Sequence, residues 1–164
     1  MGAFNKRKRQ HLLFYHSKIN VMKELQILLV EDNEGDILLT REAFKTSRLP
    51  YSIDIAKDGE LALNMLFQEQ MYENYALPDI ILLDINLPKI NGLEVLAKIK
   101  KSEKLRVIPV IVFTTSEAEK DIADSYSHYA NSYIVKPATI DTFSNIVNCL
   151  ESYWGETVQL AGAK

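Results

Sequence analysis

Five short, mostly apolar segments alternate along the chain with segments of helical periodicity, and this alternation limits the possible folds more than any other feature of the sequence. The apolar segments cover residues 25–30, 51–56, 80–83, 110–113 and 133–135. The segments that follow them place apolar side chains three and four positions apart, as amphipathic helices do, over residues 36–45, 60–68, 93–101, 117–129 and 140–154. Strands that are apolar on both faces are typical of a parallel sheet covered by helices on both sides.

The alternation predicts an α/β fold, a doubly wound, five-stranded parallel sheet with strand order 2-1-3-4-5, as in flavodoxin-like proteins. We expect one domain over residues 24–155. A disordered basic extension at residues 1–23 would precede it, which could lie upstream of a true start at Met22, and a short tail at residues 156–164 would follow it.

Composition and charge exclude several functional classes. The 164 residues are 47% hydrophobic, yet no apolar run approaches the roughly 18 residues that span a bilayer. Residues 1–20 contain five of the 19 basic side chains and no acidic one, which leaves 14 basic against 22 acidic side chains elsewhere. A basic segment could contact nucleic acid or anionic lipid, but a solvated extension is the simpler explanation, and we expect neither partner. The single cysteine, Cys149, excludes an internal disulfide and favours the cytoplasm.

Polar side chains stand at the carboxyl ends of four predicted strands, where ligands bind in doubly wound sheets. They are Glu31, Asp32, Asp84, Thr114, Thr115 and Lys136. Each alone has a structural explanation as a helix cap, a turn residue or a solvated end. Together they favour a functional site, because the predicted strand order also makes the strands before Asp32 and Asp84 neighbours.

The residue types at this edge are suited to phosphoryl chemistry. Close carboxylates repel one another unless a cation lies among them, and Mg²⁺ is the natural oxygen-liganded partner. A carboxylate such as that of Asp84 can act as a nucleophile and form an acyl phosphate. Lys136 and the Thr114 hydroxyl could then contact phosphoryl oxygens.

Four segments, ILLVEDNEGD, IILLDINLPKINGLEVL, VIPVIVFTTS and YIVKPA, together resemble the receiver domain of two-component response regulators over roughly residues 25–154. The resemblance implies that Asp84 is the phosphoacceptor and that Lys136 contacts the phosphoryl group. It also implies that Thr114 is a switch hydroxyl, that the Tyr133 ring moves inward when Thr114 engages the phosphoryl group, and that the Lys136–Pro137 peptide bond is cis. Tyr133 could equally be an ordinary strand residue.

The same resemblance implies a metal site. Asp32 would bind Mg²⁺ directly and Glu31 through water, while Asp84 and the backbone carbonyl of Asn86 would complete the protein ligands. An alternative function, a Mg²⁺-dependent phosphatase or phosphotransferase acting on a small substrate, would also use Asp84 as nucleophile. Asn86 disfavours it, because an amide two residues after the nucleophile cannot donate a proton to a leaving group.

A longer segment at residues 70–77 makes the chain similar to single-domain regulators that work with bacteriophytochromes. Only about ten residues follow position 154, so we expect a stand-alone regulator, a signalling switch and not a metabolic enzyme, phosphorylated by a sensor histidine kinase for which a phytochrome is a candidate. The last helix carries a second apolar stripe, Ile146, Cys149 and Tyr153, beside its main one. That stripe could pack under a neighbouring helix, or it could join Tyr126, Tyr129 and Tyr133 in the interface of a homodimer, which we expect.

Overall fold

The computed structural model describes residues 24–161, and five strands within that range pair in parallel to form one sheet. The strands are β1 (Leu25–Val30), β2 (Tyr51–Ala56), β3 (Ile80–Leu83), β4 (Val110–Thr114) and β5 (Ser132–Val135). Their order in the sheet is β2-β1-β3-β4-β5, which confirms the predicted doubly wound, flavodoxin-like topology. The predicted strand positions agree with the observed ones to within one residue.

A hydrophobic cluster covers each face of the sheet, and the side chains of β3 contribute to both clusters. Ile81 and Leu83 face one hydrophobic cluster, whereas Ile80 and Leu82 face the other. All four side chains are at most 1% exposed. A central parallel strand has no solvated face, which is why its sequence carries no polar residue.

Five α-helices connect and cover the strands. They are α1 (Glu34–Phe44), α2 (Gly59–Leu66), α3 (Gly92–Lys101), α4 (Glu119–Ser127) and α5 (Ile140–Leu150). The buried side chains of α1 and α5 contribute to one cluster and those of α2 and α3 to the other. The site described below lies beyond the carboxyl ends of the strands, where the chain passes from each strand into the next helix.

Capping residues explain where several helices begin and end. The Asn33 side chain accepts a hydrogen bond from the Asp36 N–H, at 3.1 Å, so α1 begins at Glu34, two residues before its predicted start. Helix α4 is shorter than predicted at both ends. Tyr129, just beyond its end, has a φ of +64°, and this left-handed conformation cannot continue a helix.

The longer segment before β3 is ordered. It contains a short 3₁₀ helix (Gln70–Tyr72), and the rings of Tyr72 and Tyr75 meet edge to face with centroids 6.3 Å apart. Both tyrosines pack against the cluster under α2 and α3. The additional length therefore covers the edge of this core.

The C-terminal segment differs from the predicted continuous helix. Helix α5 ends at Leu150, and a π-helical segment (Glu151–Thr157) follows. Leu160 still packs against the cluster under α1 and α5, so ordered contacts continue past residue 155. The extension expected at residues 1–23 lies outside the described residues. Within residues 24–161, no helix has the length and apolar character needed to cross a membrane.

A buried carboxylate joins this C-terminal segment to the loop before β2. Glu151 is 5% exposed, and its Oε1 accepts hydrogen bonds from the backbone N–H groups of Arg48 and Leu49, both at 2.8 Å. The carboxylate thereby takes the place of the water molecules that would otherwise accept these two hydrogen bonds.

Replacing Glu151 with alanine should lower the free energy of unfolding by about 2–3 kcal/mol, because backbone donors are left without an acceptor. Urea denaturation monitored by circular dichroism measures this. Glu156→Ala, which removes an exposed carboxylate from the same π-helical segment, is the matched control and should change stability by less than about 0.5 kcal/mol. Equal effects of the two substitutions would contradict this account of Glu151.

Candidate functional site

Backbone pairing brings the polar strand ends together. Val30 of β1 is in register with Leu83 of β3, and the Asp84 N–H donates to the Val30 carbonyl at 3.0 Å. The residues that follow these two strands are therefore neighbours. On the other side, the Lys136 N–H donates to the Thr114 carbonyl at 2.8 Å, which places the end of β5 beside the end of β4.

Three carboxylates meet at this edge. Glu31, Asp32 and Asp84 each offer an oxygen, and these oxygens all lie within 4.8 Å of one another. Glu31 and Asp84 are buried, whereas Asp32 is exposed. This combination leaves a solvent-accessible side to a cluster of hard oxygen ligands, which is an arrangement that can bind a divalent metal ion.

Lys136 supplies the positive charge that lies among these acids. Its ammonium group donates to Glu31 Oε2, to Asp36 Oδ2 at 2.9 Å and to Asp84 Oδ2 at 3.3 Å. Burial by itself would lower the pKa of Lys136, but the hydrogen bonds to Glu31 and Asp36 outweigh it and raise that pKa. The lysine therefore stays charged.

The charge at this edge is unbalanced. Three carboxylates, those of Glu31, Asp36 and Asp84, pair with one ammonium group, and a fourth, that of Asp32, lies beside Glu31 and Asp84. Burial raises the pKa of Glu31 despite its contact with Lys136. The excess negative charge provides an electrostatic reason for a cation to bind here.

The Asp84 carboxylate is held from its other side by the backbone. Its Oδ1 accepts hydrogen bonds from the N–H of Ile85 at 2.7 Å and from that of Asn86 at 3.4 Å. Gly92, at the start of α3, packs directly under this turn. A Cβ at position 92 would lie 2.0 Å from the Asp84 carbonyl oxygen, so only glycine allows this approach.

The hydroxyl-bearing loop after β4 forms the next part of the edge. Thr114 is fully buried, and its Oγ1 accepts a hydrogen bond from the Ser116 N–H at 3.4 Å, whereas Thr115 is exposed. The Tyr133 hydroxyl donates to the Ser116 carbonyl at 3.0 Å. Burial raises the pKa of the Tyr133 phenol, so it retains the proton that it donates. Tyr133 is thus bonded to the loop that carries Thr114.

Asp36 is the ion-pair partner of Lys136 that the sequence does not single out as a site residue. It lies at the third position of α1, where an acidic residue commonly reaches back to the N–H of the capping residue. Here the Asn33 N–H is already bonded to Glu31 Oε1, at 3.0 Å. The Asp36 carboxylate is therefore available to Lys136. The sequence signal that could have identified Asp36 is its position one helical turn after the acidic pair Glu31 and Asp32.

Comparisons with known proteins agree with this geometry. Residues 27–148 match the family model of the response regulator receiver domain. Response regulator Rcp1 of Synechocystis sp. is 44% identical over 137 residues, which cover 84% of this chain and 93% of Rcp1. The crystal structure of the phosphorylated cyanobacterial phytochrome response regulator RcpA superposes with a TM-score of 0.81 at 44% identity, covering 85% of this chain and all of RcpA. The Mn²⁺-bound form of Rcp1 superposes with a TM-score of 0.78 at 43% identity, covering 84% of this chain and 99% of Rcp1.

No enzyme family is indicated by these matches, and they favour the signalling function over the alternative of a phosphatase acting on small substrates. A signalling function of this kind requires this fold, a cluster of acids and a lysine paired with them. The chain belongs to the response regulator receiver domain family and is a phosphorylation-dependent signalling switch.

Proposed function

We propose that Asp84 is the residue that accepts the phosphoryl group from a sensor histidine kinase. The observation that carries the proposal is the position of its carboxylate, held by backbone donors at Oδ1 and 3.3 Å from the Lys136 ammonium at Oδ2. It is the only one of the three clustered carboxylates that ends the central strand β3. In the sheet, β3 lies between β1, which is followed by Glu31 and Asp32, and β4, which ends at Thr114.

In the proposed reaction, a carboxylate oxygen of Asp84 attacks the phosphorus of a phosphohistidine. The new O–P bond forms as the P–N bond breaks, and the electron pair of that bond returns to the imidazole nitrogen. The Lys136 ammonium stabilises negative charge on a phosphoryl oxygen, and the Thr114 hydroxyl donates to another. Hydrolysis of the acyl phosphate by water, which resets the switch, would take place in the same site.

The cation that fits this cluster best is Mg²⁺. Glu31, Asp32, Asp84 and the backbone carbonyl of Asn86 would hold it, and all are oxygen donors, as a hard divalent ion prefers. When bound, the ion neutralises charge on the phosphoryl oxygens. The excess of carboxylates over ammonium groups supports a divalent cation at this edge.

Thr114 and Tyr133 would convert phosphorylation into a change of shape. When the Thr114 hydroxyl turns to a phosphoryl oxygen, the loop after β4 moves with it. The Tyr133 hydroxyl is bonded to the Ser116 carbonyl of that loop, so the ring loses this partner and turns inward. The Lys136–Pro137 bond is proposed to be cis, as the family pattern implies, and this stays a prediction.

The kinase partner proposed for this chain is a phytochrome. Support comes from RcpA, which is described as a phytochrome response regulator and is 44% identical to this chain. The single cysteine, which leaves no internal disulfide, supports a cytoplasmic location.

A homodimer is proposed on the surface formed by α4 and β5. Tyr126 and Tyr129 are 50% and 76% exposed there. In α5, Cys149 is exposed and Ile146 packs against the core, and Tyr153 of the following π-helical segment is 53% exposed, so the second stripe is only partly covered. Exposed aromatic side chains of this kind are enriched in protein interfaces.

Incubation with Mg²⁺ and acetyl phosphate should add one phosphoryl group to the protein, as measured by intact mass. Asp84→Asn should abolish the gain because it removes the nucleophile, and a metal chelator should abolish it in the wild type. Asp54→Asn, at an exposed acid in the edge strand β2, is the matched control and should be phosphorylated normally. A gain that survives in Asp84→Asn would refute the assignment.

Thr114→Val should separate phosphorylation from the switch, because valine fills the same buried volume without the hydroxyl. Phosphorylation should persist, at a rate reduced by about 10-fold or more, while the phosphorylation-dependent NMR shifts of the Tyr133 ring disappear. Thr115→Val, at the exposed neighbour, should retain both. Wild-type Tyr133 shifts in Thr114→Val would contradict the coupling.

Sedimentation equilibrium should detect a dimer that becomes tighter after phosphorylation. The double variant Tyr126→Lys and Tyr129→Lys should weaken it by at least about 10-fold, because two aromatic anchors are replaced by repelling charges. Met71→Lys, at a side chain that is 84% exposed in the 3₁₀ segment, should have no effect. Monomers alone in both states would disprove the dimer.

A further inference from the structure

The Lys136 ammonium group has no free donor for a phosphoryl oxygen. An ammonium group has three N–H donors. In this structure the three are matched by three carboxylates, those of Glu31, Asp36 and Asp84. The donor that meets Asp84 Oδ2 can pass to a phosphoryl oxygen when Asp84 is phosphorylated, but a second contact with the phosphoryl group requires Lys136 to give up Glu31 or Asp36.

Burial decides which partner is released. The Glu31 side chain is 1% exposed, and loss of the lysine would leave its Oε2 without this donor and without access to water, which is costly. The Asp36 side chain is 27% exposed. It also lies in the first turn of α1, where the helix dipole stabilises a negative charge. Release of Asp36 into water therefore costs least.

Among the described residues, Lys136 is the one hydrogen-bond and ion-pair partner of the Asp36 carboxylate. The backbone of Asp36 is fixed independently, since its N–H is capped by Asn33 and its carbonyl accepts from the Thr40 hydroxyl at 2.8 Å. The side chain can therefore change partners without unwinding the helix.

We propose that Asp36 is a positioning residue that competes with the phosphoryl group for the Lys136 ammonium and is released from it when Asp84 is phosphorylated. The proposal rests on the assignment of Asp84 as the phosphoacceptor. It gives the switch a second output beside Tyr133, because the exchange of partners frees a charged side chain on the first turn of α1. Breaking the contact between Asp36 and Lys136 thereby lowers the net affinity of the site for the phosphoryl group.

The test is the affinity for beryllofluoride, a stable phosphoryl mimic, in the presence of Mg²⁺. Asp36→Asn removes the competing charge with little change in shape, and it should bind beryllofluoride about 3- to 10-fold more tightly than the wild type. Glu34→Gln is the matched control. It removes one carboxylate from the same helical turn, but Glu34 pairs with Lys57 and lies outside the Lys136 contacts, so affinity should stay within about twofold.

A second readout reports Lys136 directly, without metal or phosphoryl mimic. The ¹⁵N resonance of its ammonium group should shift in Asp36→Asn and not in Glu34→Gln. In the wild type, beryllofluoride should shift the amide resonances of residues 36 and 37, and Asp36→Asn should lose most of that response. Asp36→Glu, which keeps the charge, should behave as the wild type within about twofold, and Asp36→Ser provides a second neutral variant should asparagine disturb the fold.

The outcomes separate the two proposals. If the wild type binds beryllofluoride and Asp84→Asn does not, the phosphoacceptor assignment stands. If the neutral Asp36 variants then bind no more tightly than the wild type, or if Asp36→Glu binds as tightly as they do, competition by Asp36 is refuted. Failure of the wild type itself to bind would instead refute the proposed function.

Discussion

The ion pairs of Lys136 are the interactions on which the site depends. A buried ammonium group is stable only when nearby carboxylates compensate the charge, and three do so from the ends of β1 and β3 and from α1. Without the lysine, Glu31 and Asp84 would lie as two buried acids with like charge. The contact thus joins β5, which carries the lysine, to two strands that do not pair with it.

The parallel sheet makes this convergence possible. All five strands point in one direction, so the polar residue that ends each strand lies at the same edge. The central strands β3 and β4 are apolar because helices cover both faces of the sheet, and polar residues appear in them only at their carboxyl ends. The hydrophobic core therefore determines where the chemistry of this protein can be located.

The same edge contains connections through which a change of charge can reach the surface. On one side, Thr114 lies in a loop whose Ser116 carbonyl accepts from the Tyr133 hydroxyl, and the Tyr133 backbone N–H donates to the Tyr126 hydroxyl of α4. On the other side, Lys136 is bonded to Asp36 of α1. A phosphoryl group placed between them adds negative charge at the point where both connections meet. Each connection consists of polar contacts that can exchange partners, which a tightly packed apolar core would not permit.

The amino-acid sequence by itself determined the sheet and the edge at which the polar side chains gather. Hydrophobic periodicity identified the strands to within a residue, and the positions of Glu31, Asp32, Asp84, Thr114 and Lys136 after those strands predicted that they lie at one edge of the sheet. The sequence did not predict the ends of α4 or the π-helical segment after α5. The left-handed conformation of Tyr129 and the wider turns of the π-helix depend on local contacts, which hydrophobic periodicity does not reveal. Only the tertiary structure revealed the contact between Asp36 and Lys136. The Asp36 carboxylate turns to Lys136, 100 residues away, because Glu31 already satisfies the capping residue of α1, and such an exchange of partners exists only once the strands are assembled.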